Sequence, residues 1–263
     1  MFAPLIFWAA FALLAMLFRT RALPFFAGAI VAVIALVIGF GLAFRRASSF
    51  FGAQDRLRRQ LMADVAHELR TPLAILQGRI EGLIDGVYPR DDARIAGLLE
   101  ETQHLSRLVE DLRTLANAEA GALDLRKEFV DPADLIRDAA GAFDRKIEVD
   151  APEDMPLIEV DPVRVREVLL NLLSNAVRHS EGAITIRAEM PPKRLVIQVI
   201  DAGRGIPPEE LPRIFDRFHK GSDSHGSGLG LAIARTLVVA HGGTIDVAST
   251  VGKGTTVIVS LPR

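Results

Sequence analysis

No cysteine occurs among the 263 residues. That excludes disulfides, thiolate catalysis and cysteine-ligated zinc or iron–sulfur centres. The six histidines are scattered, with no i, i+4 pair of the kind a helical metal site uses. A net charge of −2 gives no electrostatic ground for binding nucleic acid. No glycine-rich turn leads into the Gly-Lys-Ser/Thr of a Walker loop, and no internal repeat or low-complexity segment stands out. What the chain has in excess is apolar residues, 49% of the total beside 24% charged ones. The length suits one large or two small domains with accessories.

The apolar excess is concentrated at the start. Residues 2–18 are uncharged and of marginal spanning length, Arg19-Thr20-Arg21 interrupts them, and a second uncharged run covers about 22–44. Pro24 is tolerable near a helix start. The second run predicts a transmembrane helix. The first lacks the basic leading region of a signal peptide, so a two-helix transmembrane hairpin over 1–46 is preferred. Arg45, Arg46, Arg56, Arg58 and Arg59 outnumber the two arginines between the runs. By the positive-inside rule this predicts a multi-pass protein of the inner (cytoplasmic) membrane, with its long C-terminal part in the cytoplasm. The link between the runs leaves no room for a folded outer domain. The interval from Phe44 to His67 is too short for a further domain before the helical hairpin, so anything acting on the cytoplasmic part would come through the bilayer, from the cytoplasm or from a membrane partner protein.

Leu57, Leu61, Val65, Leu69, Leu73, Leu76, Ile80 and Leu83 recur three or four apart, predicting an amphipathic helix. Gly86 to Asp91, with Pro89, predicts a turn. A second stripe follows through Ile95, Leu98, Leu99, Leu105, Leu108, Val109, Leu112 and Leu115. Two such helices cannot bury both stripes alone. A dimeric four-helix bundle built from two copies of this hairpin, 47–120, solves that; a monomeric hairpin packed on the next domain is the alternative. His67 and Thr71 lie four apart on a face off the stripe. An imidazole there is wet and able to act as a nucleophile through a neutral ring nitrogen, or is an ordinary surface histidine.

Asn117 to Gly121 reads as a hinge-like break. Beyond it, over 121–263, strands are predicted at 126–130, 145–149, 183–189, 194–200, 244–248 and 255–261, with helices near 132–142, 162–179 and 229–240. Without regular βαβ alternation this is an α+β fold, a two-layer α/β sandwich. In the helix Val163–His179, Glu167, Asn171, Asn175 and Arg178 form a polar line through an apolar run. Asparagines in mid-helix ask for a reason. Bonding to a neighbouring loop is one; amide oxygens facing Mg²⁺ and phosphates are another. Asp201-Ala-Gly203-Arg-Gly205-Ile206 ends a strand, and its glycines let the backbone turn and approach a ligand. Gly226-Ser-Gly228-Leu229-Gly230 opens onto a helix whose free N–H groups suit phosphate. The intervening 221–226 is small and polar, with the composition of a mobile lid.

Asp64-Val-Ala-His67-Glu68-Leu-Arg-Thr71-Pro-Leu73 resembles the H-box of membrane-bound sensor histidine kinases of bacterial two-component systems. Asn171-Leu-Leu-Ser-Asn175-Ala-Val-Arg178-His179 resembles their N-box, with Arg178 for the usual lysine and His179 where an aromatic is common. Asp201 to Ile206 looks like the first glycine box, Ile214-Phe215-Asp-Arg217-Phe218-His-Lys220 the F-box, and Gly226 to Leu231 the second glycine box. Gly252-Lys-Gly254-Thr255 looks like the last glycine-rich turn. The boxes stand in family order over 64–231.

The resemblance implies a HisKA-type hairpin and a Bergerat-type (GHKL, HATPase_c) ATP-binding domain. It implies that His67 takes the γ-phosphoryl group of ATP and passes it to an aspartate on a response regulator receiver domain. Glu68 would be the general base, and Thr71 would orient water for dephosphorylation of the regulator. Asn171 and Asn175 would hold Mg²⁺, Asp201 would accept the adenine amino group, and Arg178, Arg217 and Lys220 would offset phosphate charge. Phe215 and Phe218 would anchor the lid. A GHKL-fold ATPase without histidine autophosphorylation is the rival from another class; it usually carries a glutamate base where Asn171 stands and has no acceptor hairpin. A non-enzymatic membrane scaffold is the third reading.

Overall fold

The computed structural model describes residues 62–220 and 227–263. The expected transmembrane hairpin lies outside them. Among the described residues no helix is long and apolar enough to cross a membrane. From Asp64 onward the chain forms one unit.

Helix α1 runs over 62–84 and α2 over Asp92–Glu119. Between them Gly86 takes a φ of +74°, and Asp91 caps α2 by accepting the Arg94 N–H at 2.9 Å. Tyr88 fits the turn because Gly82 is bare: a Cβ there would sit 2.4 Å from its ring. Arg79 ties the two helices by donating to the Gly97 carbonyl at 3.0 Å. The far part of the hairpin leaves Leu73, Ile80, Ile84, Ile95 and Leu99 exposed. Toward the other end, Leu108 and Leu115 of α2 are buried in the core of the following domain.

At Ala120 the helix stops, with Gly121 at φ +65° and the Ala122 N–H turned back to Asn117 O at 2.8 Å. The chain continues as β1 (Glu128–Val130), α3 (Pro132–Gly141), β2 (Glu148–Asp150), β3 (Ile158–Val160) and α4 (Pro162–His179). Then come β4 (Ile184–Glu189), β5 (Arg194–Asp201), a short 3-10 turn at Leu211–Arg213, α5 (Gly230–Ala240), β6 (Thr244–Thr250) and β7 (Gly254–Pro262). The main sheet has the order β2-β4-β5-β7-β6, antiparallel except for β2 beside β4, while β1 and β3 pair apart from it. Alternate residues Ile184, Ile186, Leu195, Ile197, Val257 and Val259 face α4 and α5 across a dry core. The α+β sandwich and its helices stand where the pattern put them.

Some bounds differ from expectation, with β1 beginning at Glu128 rather than at 126 and β6 running on to Thr250 rather than 248. Strand β2 begins at Glu148 rather than at 145, because Arg145 turns away to donate to the carbonyls of Val177, Ser180 and Gly182. Strand β3 was not expected at all. Its three residues follow Pro156 and bury only Ile158 and Val160, too short a run for periodicity to reveal.

Candidate nucleotide-binding and phosphoacceptor site

Helix α4 starts cleanly because Asp161 caps it: Oδ1 accepts the Arg164 N–H at 3.0 Å while Oδ2 accepts the Arg126 N–H at 2.9 Å. Pro162 then supplies a first-turn residue that needs no amide partner. The helix buries Val165, Val168, Leu169, Leu172, Leu173 and Ala176 on the sheet. Its opposite side therefore presents Glu167, Asn171, Asn175 and Arg178 to a cleft of about 1440 Å³. Gly228 and Gly230, at the start of α5, line the other wall. The Asn171 amide oxygen faces Gly230 at a point where a Cβ would stand 3.2 Å away. Helix α2 closes the outer side with His104, Arg107 and Asp111.

A smaller chamber of about 280 Å³ adjoins it, lined by Asp201, Gly205, Ile206, Val251 and Thr255 among others. It meets the cleft at Asn175, His179, Ile214, His219 and Leu231, which line both. Its walls are held by close backbone contacts. Gly203 donates to Asp201 Oδ1 at 2.8 Å and sits so near the His179 carbonyl that a Cβ would be 2.4 Å from it. Gly205, at φ +71°, passes so close to the Thr250 carbonyl that a Cβ on it would lie 2.2 Å from the oxygen, which no side chain tolerates. Gly252 donates to Arg204 O at 2.7 Å.

The Ser249 hydroxyl is a residue whose part here the sequence did not disclose. It accepts the Ile206 N–H at 2.8 Å, donates to Gly254 O at 2.9 Å and touches Thr255 Oγ1 at 3.0 Å. A serine in an alternating strand carries no signal of this kind.

Burial raises the Asp201 carboxyl above its ordinary pKa, while N–H bonds from Gly203 and Thr255 and the nearby His179 pull it back. Burial lowers His179, and the Arg204 and Arg178 guanidiniums lower it further against the pull of Asp201. Arg178 itself is exposed at the cleft's edge. Leu229 is fully buried in the core, so only its backbone is available to a ligand. Gly226 lies outside the described residues.

Of the F-box, Ile214 and His219 line both cavities, whereas Phe215, Arg217, Phe218 and Lys220 line neither. Phe218, with φ +58°, packs against the core, and Phe215 lies under the Arg235 guanidinium, 5.8 Å from its ring centre. Arg217 bonds Glu119 at the end of α2. Lys220 donates to both carboxylate oxygens of Glu68 on α1. One residue before Glu68, His67 is exposed, and the Thr71 hydroxyl reaches back to the His67 carbonyl at 3.5 Å. The face that bears His67 and the cleft are thus joined through neighbouring residues, Glu68 beside His67 and Lys220 beside His219.

Residues 57–121 match the His Kinase A (phospho-acceptor) domain. Residues 160–263 match the family of histidine kinase-, DNA gyrase B- and HSP90-like ATPases. The sensor protein SrrB of Staphylococcus aureus is 35% identical over 226 residues, covering 80% of this chain. The chain spans only 39% of the length of that relative. Among solved structures, the histidine kinase AdeS of Acinetobacter baumannii superposes with a TM-score of 0.65 at 33% identity, over 74% of this chain and 97% of that one. Full-length ShkA, solved in complex with AMPPNP, gives a TM-score of 0.59 at 31% identity, over 77% of this chain and 45% of that one. Matching AdeS over nearly its whole length, and carrying both domains in order, the chain belongs to the histidine kinase family.

Proposed function

We propose that this protein is an ATP-dependent protein-histidine kinase of a two-component system. The observation that carries the reading is the contact of Glu68, next to the exposed His67, with Lys220, next to a residue that lines the nucleotide cleft. A bare ATPase has no use for an exposed histidine held against its own nucleotide domain.

In this reading adenine occupies the smaller chamber, with its amino group donating to the Asp201 carboxylate, an acceptor that suits adenine better than guanine. The triphosphate extends past Asn175 toward Asn171 and the N-terminus of α5, whose free N–H groups favour anions. The neutral imidazole of His67 attacks the γ-phosphorus. A nitrogen–phosphorus bond forms, the bond to the β-phosphate oxygen breaks, ADP leaves, and Glu68 takes the ring proton. Arg178, Arg217 and Lys220 offset charge on the moving group. Asn171 and Asn175 present hard oxygen donors side by side to the cleft, beside a glycine that leaves room, and so fit Mg²⁺. When bound, that ion supplies positive charge to the β- and γ-phosphates.

The phosphoryl group then passes from His67 to an aspartate of a response regulator receiver domain. Thr71, on the same face as His67, would orient water for the regulator's dephosphorylation. The exposed apolar stripe of α1 and α2 is the face on which a second copy would complete a four-helix bundle. The apolar runs over 2–18 and 22–44, with arginines after them, support an inner-membrane protein whose catalytic part lies in the cytoplasm. A membrane partner protein is one route for its signal.

The test is incubation of the protein with Mg²⁺ and γ-labelled ATP beside His67→Ala and Asn175→Ala. Acid-labile, alkali-stable label on the parent and on neither variant supports the reading. Steady phosphate release without labelled protein, unchanged in His67→Ala, would make it a GHKL-fold ATPase instead.

A further inference from the structure

The His219 imidazole Nε2 is buried and, among the described residues, has no hydrogen-bond partner. A buried ring nitrogen left unpaired loses its hydration for nothing in return, so such groups are rare and call for a partner. Its position says what that partner is. His219 lines both the smaller chamber and the larger cleft, so it stands in the throat between them. On the chamber side lie Asp201, Ile206 and Thr255, which enclose a base. On the cleft side lie Asn171, Gly228 and Gly230, which suit phosphates. What joins a base to its outer phosphates is a sugar and an α-phosphate, and both carry oxygens with which an imidazole nitrogen can hydrogen-bond.

The backbone that carries the ring is fixed. Phe218 adopts the left-handed region at φ +58°, uncommon for a bulky residue. Gly228, itself at φ +70°, packs so closely that a Cβ on it would lie 2.9 Å from the Phe218 Cα and 3.0 Å from the His219 carbonyl. The His219 N–H donates to Asp216 O at 3.4 Å. The strain at Phe218 turns His219 away from the course of the preceding residues, whose side chains go to the core, α2 and α5.

Resting on the kinase reading, we propose that His219 is a nucleotide-contact residue whose Nε2 hydrogen-bonds an oxygen of the sugar–α-phosphate segment. ATP and ADP share that segment, so the contact strengthens both alike and leaves the choice of base to Asp201.

The full chain in detergent, with Mg²⁺, is titrated with ATP and with ADP beside His219→Phe and His219→Gln. Glutamine places an amide nitrogen near Nε2, whereas phenylalanine keeps only the ring's bulk. His219→Phe is expected to weaken both nucleotides about tenfold, and His219→Gln to stay within about threefold of the parent. As a second readout independent of the variants' stability, ¹⁵N-labelled histidine in the parent should show the Nε2 resonance of His219 moving when ADP is added. Parental affinity in His219→Phe, equal loss in both variants, weakening of ATP alone, or an unmoved resonance would each overturn the assignment. A parent that binds no nucleotide overturns the kinase reading with it, whereas normal parental binding with insensitive variants overturns the His219 contact alone.

Discussion

The Lys220 ammonium donates to both oxygens of the Glu68 carboxylate, at 2.7 and 2.9 Å, although the two residues are 152 apart in the chain. Their side chains are 33% and 21% exposed, so the pair is better shielded than a surface ion pair and is worth on the order of 1 kcal/mol. Phosphate arriving in the cleft would compete for the ammonium and free the Glu68 oxygens. Glutamine keeps the shape and one hydrogen-bond acceptor but takes no proton. Glu68→Gln is therefore expected to slow autophosphorylation about 10²–10³-fold while ATP affinity changes by less than about threefold. Labelling rates at saturating ATP, set beside nucleotide titration, check the split.

Two glycines of the turn before β7 should behave differently under one substitution. Gly252 has a φ of +77° but open space where a Cβ would go. Gly254 has a φ of +102°, and a Cβ on it would lie 1.9 Å from the Asp201 carbonyl oxygen. Gly252→Ala is expected to cost only the left-handed penalty, about 1–2 kcal/mol. Gly254→Ala must also push β5 aside, for about 3 kcal/mol or more. Because the displaced carbonyl belongs to Asp201, nucleotide affinity should fall in Gly254→Ala and hold in Gly252→Ala. Thermal melting with and without ADP separates the two.

These particulars show where sequence reasoning reaches and where it stops. Asn171, Asn175 and Asp201 were legible because polar residues interrupt patterns that burial otherwise dictates: a helix that must pack, and a strand that ends in glycines. The hairpin and the sandwich were legible from the same periodicities. The Glu68–Lys220 pair was not, because each is an ordinary charge in its own neighbourhood and only the docking of α1 against the nucleotide domain unites them. Ser249 was silent for a related reason, and Thr255 and His219 stood inside recognised boxes with no role of their own. Their meaning lies in which backbone groups or cavities come near them, and that is a property of the tertiary fold.

Asp111 on α2 lies in the cleft, where burial and the nearby Glu167 carboxylate push it up to about 6, Glu110 adding to them and Arg107 opposing. Arg164 is engaged elsewhere, donating to Glu167 at 2.8 Å. A folded-state pKa above the ordinary 3.8 means that the folded protein holds the proton more tightly. The stability this group contributes is present at low pH and lost as pH rises through about 6. The full shift corresponds to roughly 3 kcal/mol, reduced to about 1–2 kcal/mol by the carboxyl's remaining exposure to water. Asp111→Asn should therefore stabilise the protein by about that amount near pH 8 and make no difference near pH 4. Denaturant melts at the two pH values decide it.

His241 should act with the opposite sign. Its Nδ1 lies 2.8 Å from the Leu237 carbonyl and must carry the hydrogen, since a carbonyl only accepts. Nε2 is then bare and accepts the Asp161 N–H at 3.1 Å, tying the end of α5 to the start of α4. A second proton would point at that N–H. Burial lowers the His241 pKa below 6.5, with Lys127 adding to it and the Leu237 bond and Asp161 opposing. The unfolded chain takes up the proton first, so the stability is complete above 6.5 and is lost as pH falls through the folded-state value. Because Asp111 gains stability over the same interval, the two groups mask one another in the parent. In an Asp111→Asn background the melting temperature should fall on acidification from about pH 8 to pH 5. Adding His241→Asn should cost about 1–2 kcal/mol at the upper end, where the Asp161 N–H loses its acceptor. It should also reduce the slope below, because the ring at 241 no longer titrates while His179 keeps a lowered pKa. An undiminished slope after His241→Asn would place the proton uptake on another group, with His179 the first to test.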